Sequence, residues 1–133
     1  MSPSLTGIRA LIIEDEQTSI DVLRNLLSQL DVDTSVIYGG PEVDQHIRDT
    51  SRPDVIFLDL EMPGFNGYEV LEMIKADAEF EGVPVVAYTT HISHMNDARR
   101  AGFNSFLGKP LHRYEFADNL IRILNGESVW EAP

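Results

Sequence analysis

The feature that most constrains this chain is a series of short apolar runs, each cut off by a polar residue. Residues 10–13 (Ala-Leu-Ile-Ile) stop at Glu14-Asp15, and residues 54–58 (Asp-Val-Ile-Phe-Leu) stop at Asp59. Residues 83–88 stop at Thr89, and residues 104–107 stop at Gly108-Lys109-Pro110. Residues 32–38 alternate, are rich in β-branched side chains and break at Gly39-Gly40. Runs this short read as strands, and near-continuous apolarity is what a sheet covered on both faces requires.

Between the runs the period becomes helical. Ile20, Leu23, Leu27 and Leu30 share one face. Pro41 suits the first turn of a second helix reaching about Asp49, with Val43 and Ile47 inward. Pro63 and Gly64 punctuate a loop before a third helix over residues 68–76, which buries Val70, Leu71 and Ile74. Residues 94–101 make a weak fourth helix closed by Gly102. Residues 113–124 make a strong fifth one, with Phe116, Leu120 and Ile123 inward and Gly126 as its stop. Strands alternating with helices imply a doubly wound α/β fold with a parallel sheet.

The 133 residues suit one domain, residues 1–133, with a core over about 8–126 and a short tail. The tail holds the single tryptophan, Trp130, expected to pin it to the body. Ten basic against 22 acidic side chains leave a net charge of −12, which repels nucleic-acid backbones and anionic membranes. The absence of cysteine excludes disulfides, thiol nucleophiles and thiolate metal sites. No run is long enough to span a bilayer and no secretory leader is visible, so a cytoplasmic location is expected.

In an open parallel sheet, ligands bind outside the carboxyl ends of the strands. Those ends carry Glu14 and Asp15, then Asp59, Thr89 and Lys109. Carboxylates crowded together repel one another and recruit a cation. Oxygen donors suit Mg²⁺, which needs only one or two carboxylates and keeps several waters. Asp15 and Asp59 fit that role, with Glu14 nearby. Lys109 offers a point charge and Thr89 a hydroxyl for the oxygens of a phosphoryl group. Taken singly, Thr89 reads more simply as a helix cap and Lys109 as a surface lysine; their ordered placement argues otherwise.

These residues carry a resemblance. Asp59-Leu-Glu-Met62-Pro63-Gly-Phe-Asn-Gly67 resembles the D-x-x-M-P-x-x-x-G segment of response-regulator receiver domains. Glu14-Asp15, the run ending in Thr89, and Lys109-Pro110 match the family's acidic pair, fourth strand and lysine. The resemblance spans roughly residues 9–125. It implies a flavodoxin-like, CheY-like sheet of five strands in the order 2-1-3-4-5. It implies that Asp59 takes a phosphoryl group from a phosphohistidine on a sensor histidine kinase or a histidine phosphotransferase. Mg²⁺ would be held by Asp15, the Asp59 carboxylate and the main-chain carbonyl of Glu61, beside Glu14. Lys109 and Thr89 would hold phosphoryl oxygens, Lys109-Pro110 is commonly cis, and Phe106 matches the aromatic switch. Output would run through helix four, strand five and helix five, here Met95, Arg99, Phe106, Leu107 and Arg113.

The sequence also departs from the family. Phe106 lacks the hydroxyl of the usual tyrosine, and Thr90 stands where a smaller residue is common. Glu61 and His91 flank the site at positions that tune attack by water. His91 and His94 have metal-like spacing but no further ligands, and read as solvated histidines. Two other functions compete. An aspartyl phosphatase wants a second aspartate where Glu61 stands, and a cap domain. A flavodoxin-like cofactor carrier wants a glycine-rich loop after strand one, which here is acidic. The expectation is a signalling switch rather than an enzyme.

Overall fold

A computed structural model describes residues 4–39, 43–62 and 65–131. Gly40, Pro41, Pro63 and Gly64, which the sequence marks as breaks and starts, lie outside them. Five parallel strands follow the expected order: β1 (Arg9–Ile13), β2 (Asp33–Ile37), β3 (Val55–Asp59), β4 (Val85–Thr89) and β5 (Ser105–Gly108). The sheet reads β2-β1-β3-β4-β5, but it does not end there. A sixth strand, β6 (Trp130–Glu131), pairs parallel to β5, so the five-stranded expectation is corrected to six. The segment was read as a tail because two residues are too few to show a period.

Five helices connect the strands: α1 (Gln17–Ser28), α2 (Val43–Arg48), α3 (Gly67–Ala76), α4 (Met95–Ala101) and α5 (Phe116–Leu124). One-turn 3₁₀ helices at Ala78–Phe80 and Ile92–His94 were not legible in the sequence. Nor was a two-residue antiparallel ladder joining Glu61–Met62 to Phe65–Asn66.

Alternation along each strand feeds two cores. Leu11, Ile13, Ile56, Leu58, Ala87 and Phe106 face α2, α3 and α4. Ala10, Ile12, Phe57, Val86, Tyr88 and Leu107 face α1 and α5. Both sets are buried, which explains why the runs show no polar alternation. The inward helix residues named above, from Ile20 to Ile123, are all buried.

Local chemistry fixes the helix ends nearest the strand termini. The Asn66 side chain accepts from the Tyr68 N–H at 2.8 Å and caps α3. Gly67 follows because a side chain there does not fit: a Cβ would lie 2.9 Å from Leu60 Cα and 3.0 Å from the Asp59 carbonyl oxygen. Gly102 closes α4 at φ 105°, a left-handed conformation that favours glycine.

Candidate functional site

The ends of β1, β3, β4 and β5 bring the expected residues into one open cleft. It is lined by Glu14, Asp15, Asp59, Thr89 and Lys109, with Thr90 at its rim. Carboxylate oxygens of Glu14, Asp15 and Asp59 come within 4.8 Å of one another. Their exposure differs: Glu14 is fully buried, Asp59 is 4% exposed and Asp15 faces solvent. Asp59 Oδ1 accepts from the Glu61 N–H at 3.1 Å, which orients the carboxylate at the end of the central strand.

Lys109 crosses the cleft from β5. Its Nζ donates to Glu14 Oε1 at 2.7 Å and lies 3.8 Å from Asp59 Oδ1. It also donates to Ser19 Oγ at 3.2 Å and sits 4.5 Å from the centre of the Tyr88 ring. The Lys109 N–H donates to the Thr89 carbonyl at 2.8 Å, and the Lys109-Pro110 bond is cis, as the resemblance implied. Thus the ammonium rests closer to Glu14 than to Asp59. Burial, with Asp59 alongside, pushes the Glu14 carboxyl up to about 7 even though Lys109 pulls it the other way.

Thr89 is 1% exposed, and its hydroxyl oxygen accepts from the His91 N–H at 3.3 Å. That bond closes a local turn before the 3₁₀ helix at Ile92–His94 and is not a helix cap. Glu61 also lines the cleft, and histidines engage its carboxylate. It pairs with His91 Nδ1 and lies 3.7 Å from His94 Nε2. The metal role that the resemblance implies for this residue is that of its main-chain carbonyl.

Sequence reasoning missed Ser19 and Tyr88, which hold Lys109 in place. Ser19 was hidden as an ordinary serine on the polar side of α1. Tyr88 was counted as strand core, and its buried hydroxyl has no hydrogen-bond partner among the described residues. Two residues of the expected output face are buried in this structure. Phe106 is 0% exposed and Leu107 3%, because the two cores take one each and β6 covers the edge. Met95 is half-buried against the α3–α4 core, while Arg99 and Arg113 remain exposed.

This fold is shared with known proteins. The response regulator receiver domain profile matches residues 10–121. Protein PilG of Pseudomonas aeruginosa is 27% identical over 117 residues, covering 86% of each chain. Transcription factor SKN7 of Chaetomium thermophilum is 33% identical over 119 residues, 87% of this chain but 15% of that protein. The receiver domain of a Pseudomonas aeruginosa sensor histidine kinase superposes with a TM-score of 0.75 at 27% identity. That match covers 90% of this chain and 96% of the other, which was solved with a magnesium ion coordinated in its active site cleft.

The chain belongs to the response regulator receiver domain family. It is thereby a member of the phosphoryl-accepting class of signalling domains. No helix among the described residues is long and apolar enough to cross a membrane.

Proposed function

We propose that this chain is phosphorylated on Asp59 by a histidine-phosphorylated partner, a sensor kinase or a histidine phosphotransferase, and changes its binding surface as a result. The observation that carries the reading is the placement of Asp59. It is a nearly buried carboxylate at the end of the central strand, flanked by two acids and approached by one lysine.

In the proposed transfer, an Asp59 carboxylate oxygen attacks phosphorus. The P–O bond forms as the P–N bond of the phosphohistidine breaks, and the imidazole leaves with the electron pair. The carboxylate trio is a hard-oxygen donor set of the kind Mg²⁺ takes; Asp15, Asp59 and, by the family resemblance, the Glu61 carbonyl would hold it. Bound there, Mg²⁺ supplies charge neutralisation between carboxylates and phosphoryl oxygens. Lys109 then leaves Glu14 for a phosphoryl oxygen, since an acyl phosphate brings roughly two negative charges by analogy with other phosphoryl groups. Thr89 turns its O–H toward another. The chain is thus substrate and switch, without a turnover activity of its own, and works in the cytoplasm.

The test is incubation with a small acyl-phosphate donor and Mg²⁺, read by intact mass and by mapping the labelled residue. Label on Asp59 that disappears with EDTA supports the assignment. Stable label on another residue overturns it.

A further inference from the structure

The edge of β5, between α4 and α5, is already occupied by the segment that follows α5. The Phe106 N–H donates to the Val129 carbonyl at 2.8 Å, and the Val129 N–H donates to the Ser105 hydroxyl at 2.9 Å. Ser105 is fully buried, so this hydroxyl is a built-in acceptor for an added strand. Phe106 then faces Trp130 in register, and Leu107 faces Glu131. Trp130 packs against the core that contains Phe106, and the Arg99 guanidinium of α4 lies 4.4 Å from its ring centre. On the other side, Asn119 of α5 donates to Glu131 at 2.8 Å, and His112 Nε2 lies 3.7 Å from the same carboxylate.

Val129, Trp130 and Glu131 therefore fill three different kinds of subsite. The first is a main-chain slot beside Ser105. The second is an aromatic seat between Phe106 and Arg99. The third is a carboxylate seat at Asn119 and His112. Main-chain pairing gives such a site affinity, and the side-chain seats give selectivity.

The occupant makes two strand pairs with β5 and buries Val129, while Trp130 and Glu131 are each partly open to solvent. It is also tied to the acidic cleft. Phe106 lies opposite Ala87, two residues before Thr89, and the Lys109 N–H is bonded to Thr89. A close-packed phenyl ring cannot move without displacing its neighbours. Trp130 is the neighbour on the open edge.

We propose that the β5 edge is a strand-docking site, that residues 127–131 are its resident occupant, and that phosphorylation releases them. The vacated site would admit an extended partner segment running parallel to β5, with an apolar residue, an aromatic and a carboxylate in succession. The release step rests on the phosphoacceptor reading of Asp59; the docking site does not.

The single tryptophan makes the full chain its own reporter. Acrylamide quenching of Trp130 and anisotropy of a fluorescein-labelled peptide of the sequence 127–131 are measured before and after acyl-phosphate treatment, with incorporation followed by mass. Quenching should rise severalfold and peptide affinity at least tenfold on phosphorylation. Trp130→Ala, checked for folding by circular dichroism, should bind the peptide without any phosphoryl donor. Arg99→Ala should raise quenching of Trp130 in the resting chain. Incorporated phosphate with unchanged quenching and affinity makes β6 a permanent strand and overturns the release. A folded Trp130→Ala chain that ignores the peptide overturns the docking site. Failure to incorporate phosphate sinks the Asp59 reading and the release with it, while the Trp130→Ala binding result still decides the site.

Discussion

The acidic cleft and the β5 edge stand at opposite extremes of how a protein positions a functional group. In the cleft, charged groups are held by other charged groups: Lys109 reaches Glu14, Asp59 and Ser19 across chain separations that only the sheet can close. At the edge, the Phe106 ring is held by packing in an apolar core, while its main chain pairs between Ala87 on one side and Trp130 on the other. The contrast separates two tasks. Charge senses a phosphoryl group, because it responds to added charge over several ångströms. Packing transmits, because close-packed rings have few arrangements and little compressibility.

The sharpest way to break this division is at the acceptor. Asp59→Asn should abolish labelling by an acyl-phosphate donor completely, since no other carboxylate ends the central strand; persistent stoichiometric labelling sinks the assignment. Next in size is the edge. Phe106→Ala should cost about 3–5 kcal/mol of stability, the range for truncating a buried aromatic, measured by urea unfolding. A cost under about 1 kcal/mol would mean that the ring sits on a yielding surface rather than in a packed core.

Smaller effects sharpen the electrostatic side. Mg²⁺ should stabilise the chain by mass action, about 1.4 kcal/mol at ten times its Kd, and Asp15→Asn should stabilise the metal-free protein while removing that response. A melting temperature indifferent to millimolar Mg²⁺ and to the Asp15 substitution would contradict the crowding of the three carboxylates.

The smallest effect is in pH. The Glu14 carboxyl rises from 4.5 to about 7 on folding, so the folded chain binds a proton more tightly than the unfolded one. Its contribution to stability is then full below about 4.5 and fades as pH rises through about 7. In metal-free protein the decline should be visible between those values, and Glu14→Gln should flatten it. An unchanged slope in that variant would place the titration elsewhere.

Much of this molecule was legible in its sequence, for a reason that differs between the two regions. Glu14, Asp15, Asp59, Thr89 and Lys109 each terminate an apolar run, so strand ends and site residues could be read together. The inward faces of α1, α3 and α5 followed from period alone. The edge was opaque. Two residues of β6 carry no period, and Ser105 looks like any strand serine until Val129 is seen to donate to it. The resemblance put Phe106 and Leu107 in the output face, although their place in an apolar run of a doubly covered sheet already marked them as core. Ser19 and Tyr88 were missed for a related reason: their partner, Lys109, is brought in by tertiary contact from far along the chain.

Gly67 gives the molecule its mechanical ground. With less than the width of a methyl group between it and the main chain at Asp59 and Leu60, the start of α3 rests directly on the acceptor strand. A lever moves only against something fixed. The seam between β3 and α3 leaves no room even for an added methyl group, so in the phosphorylation proposed above a displacement generated at Asp59 would pass away from α3, toward the β5 edge that β6 closes.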